Sequence, residues 1–328
     1  MKCINKWICL SLLIAVSCVS GCGKTSVAIE QPYDVYATAA DFGLSSNGTA
    51  EAKSYFASDL CVSEDVAIGT DSTDSQVAEG AGTFNLETNT VVYAKNLYER
   101  LYPASTTKIL TAYIALKYCD DLDAMVTVSE NAVNQASDSS VCNLKAGDVI
   151  RLRDLLYGLM LRSGNDAAVA IAEYISGDVD SFAALMNQEA AAMGATRSHF
   201  VNTNGLPDEN HYTCVYDMYL IFSNAVKNDT FVSIIGTTSY DVTYTDASGE
   251  AVTHTWENTN QYLTGNATTP DGFQIVGGKT GTTGEAGYCL VLYSYNPSGQ
   301  PIISIVFKAD GKSNLYLLMN EMLQGFAI

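Results

Sequence analysis

The chain has 328 residues, 47% of them apolar and 16% charged, with a formal net charge of −19. That length and apolar content support a globular body with a sizeable core, and exclude a disordered or fibrous chain. Phosphate binding needs concentrated Lys and Arg, and no such cluster occurs, so nucleic acid is not a partner.

The first segment in chain order is a leader. Lys2 and Lys6 precede an apolar run over residues 7–19, and Ser20-Gly21-Cys22 follow. The run is too short for a hydrocarbon core of about 30 Å, so an export signal is expected instead of a membrane span. Val19-Ser20-Gly21-Cys22 resembles the lipobox of bacterial lipoproteins. The resemblance implies a signal peptide over 1–21, a lipid on Cys22 and residence outside the cytoplasmic membrane. An acidic stretch follows, with ten Asp and Glu but only Lys53 between Glu30 and Glu79. Residues 22–76 read as a tether, of which 54–61 and 65–69 are expected to pack on the body.

The body is expected from Val77 to the C-terminus. Residues 81–86 and 91–94 form a hairpin, and 103–119 a helix. Residues 153–162, 166–175, 181–193 and 217–227 have helical spacing, and a second hairpin spans 240–244 and 252–255. Three strands, 273–279, 287–295 and 302–308, precede a closing helix over 313–324. Strands at both ends around a helical middle predict an α+β fold: an antiparallel sheet with helices on both faces and a helical subdomain. Five of the nine cysteines fall beyond Cys22 (Cys61, Cys119, Cys142, Cys214, Cys289). An odd number without metal-ligand spacing suggests buried thiols, with a Cys119–Cys142 bridge as an alternative.

Three motifs stand in order: Ser105-Thr106-Thr107-Lys108, Ser163-Gly164-Asn165 and Lys279-Thr280-Gly281. At a helix start, residues i and i+3 share a face, which places Lys108 beside the Ser105 hydroxyl. Serine needs an adjacent base to attack at neutral pH, and an ammonium serves only if its pKa falls. Lys279 is a candidate source of the lowering charge. Ser163-Gly164-Asn165 lies at a helix–helix corner, where Ser163 can relay a proton and Asn165 can hold Lys108 or a substrate amide. Lys279-Thr280-Gly281 ends a strand. Its edge can pair with a peptide, Lys279 and Thr280 suit a carboxylate, and Gly281 permits close backbone approach. A nucleotide-binding loop is rejected, because Phe273 stands where that motif needs Gly and strand follows instead of helix.

Taken singly, Ser105 and Ser163 could each be helix caps. With their flanks, the motifs resemble the penicillin-recognising serine enzymes, and among them the D-Ala-D-Ala carboxypeptidases of peptidase family S11. Residues 103–108, 163–168 and 279–283 carry the likeness, with Ala286-Gly287-Tyr288-Cys289, Asn202-Thr203-Asn204-Gly205-Leu206 and His211. It runs from Val77 to the C-terminus. It implies that Ser105 is acylated, Lys108 is the base, and Ser163 and Asn165 assist. It further implies that Lys279 and Thr280 bind a substrate carboxylate, and that the Ser105 and Thr282 amides form an oxyanion hole. The implied partners are stem peptides ending in D-Ala-D-Ala and β-lactams, with no metal or organic cofactor. Many members add a β-rich domain and an amphipathic membrane helix. Neither is expected here, and the Cys22 lipid is expected to replace that anchor.

Rival readings are an endopeptidase of cross-links, a β-lactamase and a silent peptidoglycan-binding lipoprotein. A class A lactamase needs a Glu after the second motif, and Glu173, Glu189 and Glu209 lack its setting. A silent binder would lack part of the Ser105–Lys108 pair. His211 reads as a structural hydrogen-bonder near the cleft.

Overall fold

The computed structural model describes residue 57 and residues 59–328. The leader, Cys22 and the first part of the acidic stretch lie outside them. β1 (Ala78–Asn85) and β2 (Thr90–Lys95) form the first hairpin. Asn85 Oδ1 closes its turn by accepting the amides of Glu87 and Thr88. A 3-10 turn (Ala104–Thr107) leads into α1 (Lys108–Tyr118). Next come β3 (Met125–Thr127), α2 (Glu130–Val133), β4 (Val149–Arg151) and α3 (Leu152–Tyr157). A π-helical turn (Gly158–Arg162) then precedes α4 (Asn165–Ser176), α5 (Val179–Ala192), α6 (Val215–Ala225) and α7 (Asp229–Ile235). β5 (Ser239–Thr245), β6 (Ala251–Glu257), β7 (Gln274–Thr283), β8 (Gly287–Tyr295), β9 (Pro301–Ala309) and α8 (Lys312–Phe326) complete the chain.

The main sheet has the order β2-β1-β9-β8-β7 with antiparallel pairing throughout. The first and last strands meet, as the α+β reading expects, because β1 pairs with β9. Alternation along β8 and β9 feeds two cores. Leu290, Leu292, Ile302 and Val306 pack with Leu318, Met319 and Met322 of α8. Val291, Tyr293, Ile303, Ile305 and Phe307 turn the other way, into the core shared with α1, α4 and α6. Both faces are therefore covered, which is why these strands read as nearly continuous apolar runs. Each fully buried Leu or Ile contributes about 1.5–3 kcal/mol relative to exposure.

A second sheet, β3-β4-β5-β6, was read from sequence only as the β5–β6 hairpin. β3 and β4 have three residues each, too few for alternation to register. Two helices also depart from expectation. The segment from 103 splits into the 3-10 turn and α1, and the segment 153–162 ends in the π turn, whose extra residue resets the exit at Ser163.

The part of the acidic stretch that is described lies on the body. The Cys61 amide donates to Tyr219 Oη at 2.9 Å, and Tyr216 Oη donates to the Cys61 carbonyl at 2.9 Å. Ile68 bridges to Ala94. The five cysteines among the described residues are free thiols, four of them buried, so Cys119 and Cys142 are unbridged. Among the described residues no helix is long and apolar enough to cross a membrane.

Candidate active site

Ser105 sits in the 3-10 turn directly after Ala104, whose φ of 47° is left-handed and unusual for a residue with a Cβ. Two glycines make room for this turn. A Cβ on Gly281 would lie 2.9 Å from the Ser105 amide nitrogen, and one on Gly205 only 1.8 Å from the Ala104 carbonyl oxygen. Gly205 also has a φ of 90°. Gly205→Ala is therefore expected to cost about 2–4 kcal/mol from steric conflict and backbone strain. The thermal midpoint should fall by roughly 5–15 °C, and an unchanged midpoint would contradict this packing.

Lys108 is completely buried at the start of α1, and its Nζ faces three oxygens. They are Ser105 Oγ at 3.1 Å, Asn165 Oδ1 at 2.7 Å and the Asn204 carbonyl at 2.8 Å. Burial, and secondarily the charge of Lys279, pull its pKa well below the ordinary lysine value. A neutral amine has two N–H donors and one lone pair. Asn165 and Asn204 take the two donors, which leaves the lone pair for the Ser105 proton. The i, i+3 spacing thus does what the sequence suggested.

Ser163 ends the π turn with a φ of 61°, and its hydroxyl accepts from Lys279 Nζ at 3.0 Å. Gly164 is required beside it, because a Cβ there would meet the Cys142 sulfur at 2.3 Å. Asn165 opens α4, and its amide donates to the Ser140 carbonyl at 2.8 Å. Asp166 braces the corner by accepting the amides of Cys142, Leu144 and Ala167. The Cys142 thiol is held well above its usual pKa by burial, so it acts as filler and not as a nucleophile.

The Lys-Thr-Gly motif does not end its strand. β7 continues to Thr283 as an edge of the main sheet, so the motif lies within an open edge. Lys279 is buried, and burial brings its pKa down to about 7. Thr280 Oγ1 lies 2.6 Å from Thr259 Oγ1. Gly281 packs on the Ser105 turn, a close approach additional to the substrate approach that the sequence reading assigned to it. A cleft of about 250 Å³ beside Ser105 is lined by Ser163, Thr280, Gly281, Thr282, Tyr288 and Lys312, among others.

The structure therefore brings together all eight predicted body residues, while Cys22 lies outside the described chain. Three contributors were missed. The Asn204 carbonyl is backbone and carries no residue signature, although its segment, residues 202–206, was noted. Thr259 sits in the β6–β7 connection without a motif. Lys312 stands just before the helix expected over 313–324 and carries no motif. His211 is a structural partner as expected: Nδ1 accepts the Val201 amide, and Nε2 donates to Thr107 Oγ1 at 2.8 Å. Burial lowers its pKa to about 4, so the ring is neutral.

Comparison with known proteins agrees with this geometry. Residues 69–311 match the peptidase S11 family, described as D-alanyl-D-alanine carboxypeptidase. The chain is 34% identical over 265 residues to a D-alanyl-D-alanine carboxypeptidase of Streptomyces sp. strain K15, covering 76% of this chain and 88% of that one. It is 33% identical over 251 residues to the D-alanyl-D-alanine carboxypeptidase DacF of Bacillus subtilis strain 168, covering 75% of this chain. The chain spans 61% of the length of that relative. The crystal structure of the Streptomyces K15 DD-transpeptidase superposes with a TM-score of 0.69 at 33% identity, covering 77% of this chain and 98% of the other.

Proposed function

Because the chain belongs to the peptidase S11 family of D-alanyl-D-alanine carboxypeptidases, we propose that it is an extracytoplasmic serine DD-carboxypeptidase removing the terminal D-alanine from peptidoglycan stem peptides. The observation that carries this reading is the buried Lys108 amine against Ser105 Oγ, with its other two partners fixed. Ser105 attacks the carbonyl of the penultimate D-Ala and passes its proton to neutral Lys108. The Ser105 and Thr282 amides receive the oxyanion. The C–N bond breaks, D-alanine leaves with a proton relayed through Ser163, and water then cleaves the acyl-enzyme with Lys108 as base. β-Lactams acylate the same serine.

The carboxylate end of the substrate falls where positive charge gathers. Lys279 lies behind Ser163, while Thr280 and Lys312 line the cleft. The β-lactamase alternative loses support because two candidate bases are engaged elsewhere. Glu173 accepts from Ser129 and Asn131, and Glu189 from Lys117 and Tyr118. Attachment through a lipid on Cys22, with residues 22–76 leading to the body, completes the proposal.

The test is D-alanine release from a peptide ending in D-Ala-D-Ala against its C-terminal amide. One D-alanine per cleaved peptide is expected, with the amide at least about tenfold poorer through loss of a charge-assisted contact. No release, or equal cleavage of the amide, would rule out a carboxypeptidase.

A further inference from the structure

The two edges of the main sheet differ. β7 is open, whereas β2 is covered by residues 59–77, which pass around it from one face of the sheet to the other. On the α6 face three tyrosine hydroxyls grip the backbone of this segment. Tyr219 Oη accepts the Cys61 amide at 2.9 Å, Tyr216 Oη donates to the Cys61 carbonyl at 2.9 Å, and Tyr98 Oη donates to the Ser63 carbonyl at 2.6 Å. Ile68 then pairs with Ala94 of β2 through both backbone bonds, at 2.8 and 3.1 Å. On the α8 face Gly69, with a φ of 76°, lies against Phe326, where a Cβ would come within 2.5 Å of the ring. The Asp74 amide donates to Glu321 Oε2 at 2.8 Å, and Lys95 Nζ donates to the Ser75 and Ala78 carbonyls. The apolar groups of the segment turn inward, with Cys61 fully buried and Leu60 and Ile68 against the same core. Its carboxylates, Asp59, Glu64, Asp65, Asp71 and Asp74, are all exposed, and it holds no Lys or Arg.

We infer that residues 59–77 form a strap that caps the β2 edge, and that its release turns β2 into a docking edge for β2 of a second copy. The strand underneath is Thr90-Val91-Val92-Tyr93-Ala94-Lys95, β-prone, without Pro or Gly and with its one charge at the end. A bare edge of this kind offers unpaired amides and carbonyls to a matching strand, and another copy always supplies one. Two antiparallel β2 strands related by a two-fold axis complement each other. The strap replaces that surface with exposed carboxylates, which repel the same face of a second molecule. Lys95, the one charge of the bare edge, is itself held by the strap. Pairing by the main sheet is thereby confined to β7, the edge beside Ser105.

Hydrogen exchange read by mass spectrometry, together with sedimentation velocity, tests this on the full chain. In the wild type, amides over 59–77 should exchange at least about tenfold more slowly than in an unfolded chain, and the protein should sediment as a monomer. Y98F/Y216F/Y219F removes three hydroxyls and keeps the rings, including the stacking of Tyr219 on Phe84. It should speed exchange across 59–77 by about tenfold or more, leave β8 and β9 protected, and give a dimer that grows with concentration. Residues 90–95 should regain protection as that dimer forms. Ile68→Pro deletes the amide bonded to Ala94 and should act in the same direction with the tyrosines untouched. Unprotected exchange of 59–77 in the wild type, or a strap that stays protected in both variants, overturns the grip. A released strap on a protein no more dimeric than the wild type, or a dimer that leaves residues 90–95 exchanging freely, overturns the docking edge.

Discussion

Ser105→Ala is expected to lower D-alanine release by at least about 10³-fold, the scale on which removal of a catalytic nucleophile is felt. No second hydroxyl takes over. Ser163 is held by Lys279, while Lys108 is directed at Ser105. The substitution removes one hydrogen bond of Lys108 and leaves its bonds to Asn165 and Asn204 intact. The thermal midpoint should therefore stay close to wild type, so lost activity reports chemistry. Release that persists within tenfold would remove Ser105 from the mechanism.

Lys108→Arg should be nearly as damaging, by about 10²–10⁴-fold, because it removes the general base. A guanidinium keeps positive charge but cannot give up its proton in this range, so it cannot accept one from serine. Lys108→Met, which keeps similar bulk without charge, should fail equally and separates basicity from packing. The pH profile carries the same information. Lys108 must be neutral to act, and its pKa is well below the ordinary lysine value, so kcat/KM should climb as pH rises through that lowered value. In the proposed reading Lys279 meets the carboxylate in its charged form, so binding to the free enzyme should weaken as pH passes about 7. Two lysines titrating in opposite senses give a bell-shaped profile. Removing the Lys279 charge lifts a repulsion from Lys108, so Lys279→Met should move the acid limb to higher pH. An acid limb that stays in place would contradict that coupling.

The site was legible where chemistry is local in sequence. Ser105 and Lys108 are one helical step apart, and their contact follows from that spacing. The Ser163–Lys279 contact joins residues 116 apart, and the family likeness implied only that both belong to one site. What escaped was either backbone or context. The Asn204 carbonyl is a partner of Lys108 whose residue type is irrelevant, and Thr259 becomes visible only once β7 is placed. Gly281 was recognised for close backbone approach, but its packing on the Ser105 turn was not foreseen, since a sequence shows that space is needed and not which atoms claim it. At the level of the fold, long apolar strands and amphipathic helices were readable. The three-residue strands β3 and β4 gain their register from partners remote in the chain. Asp166 lay in the stretch that carries the family likeness, but its hold on the loop over residues 142–144 depends on contacts that the sequence does not show.

The central claim is that Ser105 is the nucleophile which Lys108 activates. Intact mass followed by peptide mapping after exposure to benzylpenicillin tests it most directly. One penicilloyl adduct on Ser105, absent from Ser105→Ala and slow to form in Lys108→Arg, is the predicted result. No adduct, or an adduct on another residue, would contradict it.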